Sequence, residues 1–396
     1  MSAPTQDRSS DLDRTIGHLA DLIGFDTVSR NGNRDLIDHM AAFLGALGAR
    51  IAILPDATGQ KANLVASFGP EDAAGIVWSG HTDVVPANEP EWQGDPFSAR
   101  VADGRLYGRG ACDMKGFAAC AMTVAPRLAQ AELTRPVHLC FSHDEEVGCL
   151  GAPAIARHLA AMPVPPELAI IGEPSMMRLV TGQKGKIAMR ARVTGTSGHS
   201  SFAPRHVNAI EHAARAIDMI AEHARGYAEN GPFDHDFTVP HATMLVTMIE
   251  GGVATNITPE SCSFTFELRS ISGMDAEGDM AGLLARIEER VGRPMAQMAE
   301  GAGIVFERIF AYPAMGEARG TDAFARHADL FPEWGGKVSF GSEGGVFETL
   351  GGIPSVIVGP GSIDQAHKPN EFVALDQLDR CNAFLDSIID RLSRDG

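Results

Sequence analysis

Residues 75–86 read GIVWSGHTDVVP, a short apolar run that ends in a histidine and an aspartate. Three further runs share its form, being short, continuously apolar and bounded by turn residues: RPVHLCFS at 135–142, ELAIIG at 167–172 and IPSVIVG at 353–359. Runs of this kind, separated by helical stretches, are typical of buried strands in a largely parallel or mixed sheet that is covered on both faces. The outer parts of the chain are therefore predicted to form one α/β domain.

The middle of the chain has a different pattern. Residues 186–194 and 263–269 alternate apolar and polar side chains, which is typical of half-exposed strands. Amphipathic helical stretches occur around 210–220 and 283–287. The order strand, helix, strand, strand, helix, strand over about 185–311 is that of a ferredoxin-like βαββαβ unit.

We therefore predict an α/β fold in which a mixed-sheet domain carries an inserted ferredoxin-like α+β domain. The predicted boundaries are 1–180 for the first part of the outer domain, 181–302 for the insert and 303–396 for the second part. A chain of 396 residues is too long for one ordinary compact core, which agrees with more than one domain.

Composition and charge exclude several classes of protein. The net charge is −18 and no long basic run occurs, which argues against nucleic acid or an anionic membrane as a partner. No segment approaches the ~18 consecutive apolar residues of a spanning helix, and the N-terminal residues lack the order of a signal peptide. Six cysteines without CxxC spacing predict reduced, buried thiols. We expect a cytoplasmic protein.

Histidines and acidic residues stand where the predicted strands end and in a glycine-rich loop before a helix. These residues are His81, Asp83, Asp113, Glu145, Glu146, Glu173 and His367. In an open α/β sheet, ligands bind in the crevice beyond the carboxyl ends of the strands, so we expect these side chains to converge. Several carboxylates a few ångströms apart cannot all stay ionised without a compensating cation. The sequence therefore predicts a metal centre.

The types of residue in this set limit the metal. Imidazole and carboxylate without thiolate suit Zn²⁺, Co²⁺ or Mn²⁺. Two histidines with three or four carboxylates exceed the needs of one tetrahedral ion, which favours a pair of ions roughly 3.5–4 Å apart. In the adjacent pair Glu145 and Glu146, one side chain can ligate while the other faces a water as a base. Alone, either histidine could be structural and the acidic pair could be a solvated turn, but their joint placement favours the metal centre.

The motifs GHTDVVP, GRGACDMKG, DEEVG, GEPS and GPGSIDQAHKPNEFV occur in this order along nearly the whole chain. In this order and spacing they resemble the M20 family of metallopeptidases and deacylases. The resemblance implies a hydrolase domain with two divalent metal ions, most often Zn²⁺, and an inserted lid domain. It also implies a homodimer formed through the lid domain and a small-molecule substrate.

The family's metal ligands can be carried over to matching positions of this sequence. The resemblance implies that His81 and Glu173 hold one ion, that Glu146 and His367 hold the other, and that Asp113 bridges the two.

Further roles follow from the same resemblance. Asp83 would orient a ligating imidazole, and Glu145 would be the general base. In the lid domain, His199 would help to stabilise the oxyanion, while Asn256 and Arg269 would contact polar groups and the α-carboxylate of the substrate. By spacing alone, these three are equally well a surface histidine, a turn asparagine and a strand-face arginine.

Within the family, GQKGK at 182–186 and the run from 352 to 373 are most similar to enzymes that hydrolyse N-acetyl-L-ornithine to L-ornithine and acetate in arginine biosynthesis. Gln183 and the stretch FGSEGG at 340–345 depart from the pattern of those enzymes. Glu343 in that stretch could meet the ornithine ammonium, although a carboxylate at the start of a helix is an equally good account.

Other functions remain open at this point. Within the same chemistry, the substrate could be N-acetylcitrulline or another N-acyl amino acid, N-succinyl-diaminopimelate, or a dipeptide. A non-catalytic metal-binding or interaction protein is an alternative of another class, and an intact Glu145 beside intact ligands argues against it. Cys112 is a rival nucleophile, but no basic residue adjacent in sequence would lower its pKa.

Overall fold

The structure is a computed structural model that describes residues 5–316 and 318–393. The described chain divides into two compact units. The first comprises the described parts of Met1–Gly182, Met315–Lys337 and Ser342–Gly396, and the second comprises Gln183–Ala314 and Val338–Gly341. Among the described residues, no helix is long and apolar enough to cross a lipid bilayer.

Both units contain α-helices and β-strands. The strands are β1 (Arg50–Pro55), β2 (Ala62–Phe68), β3 (Ile76–His81), β4 (Arg100–Ala102), β5 (Arg105–Tyr107), β6 (Val137–Ser142), β7 (Leu168–Ile171), β8 (Leu179–Gln183), β9 (Gly185–Thr194), β10 (Gly198–His199), β11 (Thr243–Gly251), β12 (Ile257–Thr258), β13 (Ser261–Ser270), β14 (Gly303–Tyr312), β15 (Trp334–Val338), β16 (Ser355–Ile357) and β17 (Phe372–Ala374). The α-helices are α1 (Thr5–Ile23), α2 (Arg34–Ala46), α3 (Lys115–Gln130), α4 (Ala152–Ala160), α5 (Ala209–Asn230), α6 (Ala276–Ile287), α7 (Arg293–Met298), α8 (Asp322–His327), α9 (Gly344–Val346) and α10 (Leu375–Leu392).

The main sheet has the strand order β1-β2-β6-β3-β7-β16-β8-β15. Its centre is parallel, because β3 pairs in parallel with β6 and β7, and β16 pairs in parallel with β7. The pairs β1–β2, β2–β6 and β16–β8 are antiparallel. The predicted mixed sheet is therefore confirmed, and the four apolar runs of the sequence correspond to β3, β6, β7 and β16.

The central strands are buried on both faces, which explains why their sequences do not alternate. Helices α1, α3 and α10 pack against one another beside this sheet, and Phe117 of α3 is fully buried. At the end of β7, a Cβ on Gly172 would lie 2.0 Å from Cγ of Phe117. Only glycine therefore allows the chain to pass so close to α3 immediately before Glu173.

The second unit is built on the antiparallel sheet β11-β13-β9-β14. Along the chain its elements follow the order β9, α5, β11, β13, α6, β14, which is the predicted ferredoxin-like βαββαβ order. Buried residues alternate along β13, and the apolar residues of α5 and α6 share one core with this sheet.

One predicted boundary moves. The predicted second part of the outer domain begins at residue 303, whereas Gly303–Tyr312 is strand β14 and pairs with β9 of the second unit. The second unit therefore extends to Ala314 before the chain re-enters the first unit at Met315. The strand order predicted over about 185–311 already included this last strand, so the boundary drawn at 303 cut through the predicted insert.

Candidate metal centre

The carboxyl ends of the central strands bring the predicted ligands together within the first unit. His81 is the last residue of β3, and Glu173 stands two residues after the end of β7. Glu145 and Glu146 lie in the turn that follows β6. Because these strands are parallel neighbours, their ends meet at one edge of the sheet.

Asp113 and His367 reach the same place from loops. Asp113 precedes α3, and its Oδ1 lies 2.9 Å from Nε2 of His81. Its Oδ2 lies 3.1 Å from Nε2 of His367, which stands between β16 and β17. One carboxylate thus faces two imidazoles, with one oxygen toward each.

Each histidine also has a carboxylate of its own. Nε2 of His81 is 3.8 Å from Oε1 of Glu173, and Nε2 of His367 is 3.0 Å from Oε2 of Glu146. Two groups of three residues could each hold a metal ion, because the ligand atoms within each group lie within 4.8 Å of one another. The first group is His81, Asp113 and Glu146, and the second is His81, Glu145 and Glu173.

The tautomer of His81 suits a metal ligand. Its Nδ1 lies 2.8 Å from the backbone oxygen of Asp83, to which it donates, and this leaves the lone pair of Nε2 directed at the cluster. The Asp83 carboxylate itself accepts the backbone N–H groups of Glu145 (3.0 Å) and Glu146 (3.3 Å) and the hydroxyl of Ser29 (2.7 Å). Asp83 thus orients the imidazole through its backbone and the acidic pair through its side chain.

Burial of so many acids has an electrostatic cost. Burial and neighbouring carboxylates raise the pKa of Glu145 and Glu173 well above the usual range, and burial raises the pKa of Glu146 to about 7. Hydrogen bonds to Asp113 and Glu146 raise the pKa of His367 to about 11. The cluster therefore attracts positive charge, and its imidazole and carboxylate donors fit divalent ions such as Zn²⁺.

The surroundings of Glu343 and Cys112 bear on two alternatives from the sequence, a helix-capping role for Glu343 and a nucleophilic role for Cys112. Glu343 is buried, its Oε2 accepts the hydroxyl of Ser79 at 3.0 Å, and its side chain makes no capping bond to α9. Cys112 is buried, and burial together with the charges of Glu371 and Asp113 raises the pKa of its thiol well above the usual range. The thiol therefore stays protonated, which disfavours Cys112 as a nucleophile.

The remaining predicted residues lie in the second unit. His199 ends β10 and is exposed, and its Nδ1 accepts the backbone N–H of Ser201 at 3.2 Å, so that Nε2 carries the proton. The backbone oxygen of Asn256 accepts the N–H of Ser200 at 3.0 Å. Arg269 of β13 donates to Oε1 of Glu267 (2.9 Å) and to the hydroxyl of Tyr312 (3.0 Å).

Sequence reasoning missed two charged residues behind Asp113. Arg109 and Glu371 are each 1% exposed and form an ion pair of 2.9 Å. Both lie inside motifs already quoted, GRGACDMKG and NEFV. Their places beside proposed ligands in these motifs, Arg109 four residues before Asp113 and Glu371 four residues after His367, are the signal that could have found them.

Comparisons with known proteins agree with this picture. Residues 77–391 match Peptidase family M20/M25/M40. Acetylornithine deacetylase of Pasteurella multocida is 32% identical over 361 residues, which cover 90% of this chain and 91% of that protein. A tripeptidase of Staphylococcus aureus has a similar fold, with a TM-score of 0.74, 20% identity and coverage of 97% of this chain and 99% of that one. A dinuclear metal binding peptidase of Bacillus subtilis superposes with a TM-score of 0.63 at 16% identity, covering 96% of this chain and 98% of that one.

Proposed function

Since the chain belongs to the M20/M25/M40 peptidase family, a family of metal-dependent amide hydrolases, we propose that it hydrolyses N-acetyl-L-ornithine to L-ornithine and acetate. Relatives named acetylornithine deacetylase, 31–32% identical over 90–96% of this chain, support this substrate. The observation that carries the reaction type is the Asp113 carboxylate, which presents one oxygen to His81 and the other to His367.

The proposed metal ligands follow the two sets of contacts around Asp113. His81 and Glu173 would hold one ion, Glu146 and His367 would hold the other, and Asp113 would bridge them. Zn²⁺ suits this donor set best, and Co²⁺ or Mn²⁺ would also fit. When bound, the ions supply Lewis acidity that polarises the amide carbonyl and makes water more acidic.

The chain's own groups move the proton. Glu145 lies with His81 and Glu173 in one group of ligand atoms, which places its carboxylate beside the proposed ions, and we assign it the role of the base. Its carboxylate would take a proton from the attacking water and pass it to the leaving amine. Asp83 holds the backbone of Glu145 and so fixes the position from which the base acts.

The proposed substrate contacts are made by polar groups of His199, Asn256, Arg269 and Glu343. Nε2–H of His199 would donate to the oxyanion, because its Nδ1 already accepts a backbone N–H. Asn256 and Arg269 would contact polar groups and the α-carboxylate of the substrate. Glu343 would pair with the ornithine ammonium, since its buried carboxylate needs a cation or several hydrogen bonds.

We further propose a homodimer formed through the second unit. Strand β11 is at one edge of its sheet, and its apolar residues Leu245, Met248 and Ile249 are 49%, 70% and 57% exposed. An exposed, apolar edge strand is a template for pairing with another chain.

A cytoplasmic location is also proposed, because all six cysteines are free and buried, as expected in a reducing compartment.

A panel of substrates tests the proposed activity. The metal-loaded protein would be assayed with N-acetyl-L-ornithine, N-acetylcitrulline, N-succinyl-diaminopimelate and a dipeptide, with metal content measured on the same sample. We expect the highest kcat/KM for N-acetyl-L-ornithine. A higher kcat/KM for another member would transfer the proposal to that substrate, and metal binding without hydrolysis of any of them would contradict an enzymatic role.

A further inference from the structure

A buried ion pair lies directly behind the loop that carries Asp113. Nη1 of Arg109 is 2.9 Å from Oε2 of Glu371, and both side chains are almost completely buried. Removing two charges from water is costly, and further hydrogen bonds to the buried groups help to offset that cost. The partners of this pair therefore indicate what it organises.

Glu371 binds the backbone of the Asp113 loop. Its Oε1 accepts the N–H groups of Cys112 at 2.9 Å and of Asp113 at 3.1 Å, and its Oε2 accepts the N–H of Gly110 at 3.1 Å. Hydrogen bonds to an ionised carboxylate are about twice as strong as those between neutral groups. Three successive bonds of this kind fix the direction in which the Asp113 side chain leaves the loop.

Arg109 extends the same network to two other loops. Its Nη2 donates to the backbone oxygen of Pro86 at 2.9 Å, in the loop that follows β3 and His81. Its Nη1 also lies 3.4 Å from the backbone oxygen of Lys368, the residue next to His367. The guanidinium is covered by the ring of Trp92, whose centroid is 5.1 Å away.

We propose that the Arg109–Glu371 pair is the positioning element of the metal centre, which holds the loops of His81, Asp113 and His367 in register so that one carboxylate can bridge two ions. This inference rests on the proposed metal-binding function, because it assigns the pair a role toward those ligands. Neither residue reaches the cluster with its own side chain. Both are therefore positioning residues, and their removal affects the ligands through the backbone.

The variant Glu371→Gln tests the proposal. It keeps the size of the side chain but removes the negative charge and turns one acceptor oxygen into a donor that faces N–H groups. We expect metal affinity, measured by competition with a chelator, to fall about 10–100-fold, as for other groups that orient metal ligands. We expect kcat to fall by a similar factor while KM changes much less, because the substrate contacts lie elsewhere.

A second readout needs no metal and no substrate. Hydrogen exchange of the peptide that spans residues 108–116 would be measured on the metal-free protein. In Glu371→Gln the amides of Gly110, Cys112 and Asp113 should exchange faster than in the wild type. Should Glu371→Gln fail to fold, Arg109→Lys provides the same test. Lysine keeps the positive charge but lacks the branched guanidinium, whose two terminal nitrogens reach the backbone oxygens of Pro86 and Lys368 together.

Glu167→Gln is the matched control. Glu167 is also a largely buried, ion-paired carboxylate, bound to Arg135 and His327, but it precedes β7 at the end opposite to Glu173. Its variant should lower stability without changing metal affinity. Wild-type metal affinity and unchanged exchange in Glu371→Gln would overturn the inference. Absence of metal binding in the wild type would instead contradict the proposed function, and the exchange measurement would still decide the role of the pair.

Discussion

Asp113 is the residue that links the two histidines of the proposed metal centre. Its two oxygens face different histidines, and each histidine has a further carboxylate, Glu173 for His81 and Glu146 for His367. A single tetrahedral ion has room for about four ligands. Five converging side chains that divide into two sets around one shared carboxylate therefore suit a pair of ions better than one.

The role of Glu145 leads to a prediction at the same scale. Glu145→Gln should lower kcat about 10²–10⁴-fold, because the amide cannot accept the proton of the attacking water. Metal content should stay at the wild-type value, since Glu145 is not among the proposed ligands. Steady-state kinetics and elemental analysis would be done on one preparation, with Glu167→Gln as the control, and near wild-type turnover would contradict the assignment.

Single residues also show what local sequence could not reveal. The convergence of the proposed ligands was predictable because each follows an apolar run or stands in a glycine-rich loop, and parallel strands bring such positions to one edge. Arg109 and Glu371 were missed because charged residues are ordinarily exposed, and only the packing of two loops far apart in sequence buries them together. The hydrogen bonds from the backbone N–H groups of Glu145 and Glu146 to the Asp83 carboxylate were also not predictable, because they depend on the shape of the turn after β6.

At the scale of secondary structure, the two sheets differ in how far their strands could be predicted from sequence. The strands β3, β6, β7 and β16 were predictable because burial on both faces leaves a continuous apolar run. The alternation along β9 and β13 identified the second sheet, whose other face is less covered. The strand β14 belonged to that unit in the strand order predicted over about 185–311, although the boundary drawn at 303 separated it, and its partner β9 follows only from the structure.

The edge of the second sheet gives a prediction about assembly. Met248→Lys on β11 should shift the protein from dimer toward monomer, because a charge on an exposed edge strand opposes pairing with another chain. Light scattering at micromolar concentration would measure the mass. Val305→Lys on β14, at the other edge and 68% exposed, is the control and should leave the mass unchanged. Equal effects of both variants, or none, would contradict a β11 interface.

For the molecule as a whole, metal removal should lower stability in a pH-dependent way. The pKa of Glu146, about 7 in the folded metal-free protein, is raised above that of an ordinary glutamate, so the stabilisation from its protonation is complete below the unfolded pKa and is lost as pH rises through the folded pKa. His367, whose pKa is raised to about 11, acts in the same direction. The chelated protein should therefore lose on the order of 1 kcal/mol between pH 6 and pH 8 from Glu146.

Thermal unfolding would measure this effect. We expect the Tm of the chelated protein to fall by about 2–4 °C over that pH range, and the metal-loaded protein to change less, because bound cations keep the carboxylates ionised at both pH values. A Tm of the chelated protein that rises toward pH 8 would contradict the proposed charge balance of the cluster.

The route of the chain through the first unit has a consequence for its synthesis. Strand β16 lies between β7 and β8 in the sheet, although more than 170 residues separate β8 from β16 along the chain. A nascent polypeptide that has not yet released residues 355–371 from the ribosome lacks the strand between β7 and β8, His367 and the Glu371 carboxylate. A complete metal centre can therefore form only after these residues have emerged, and products truncated before residue 355 should be inactive targets for proteolysis.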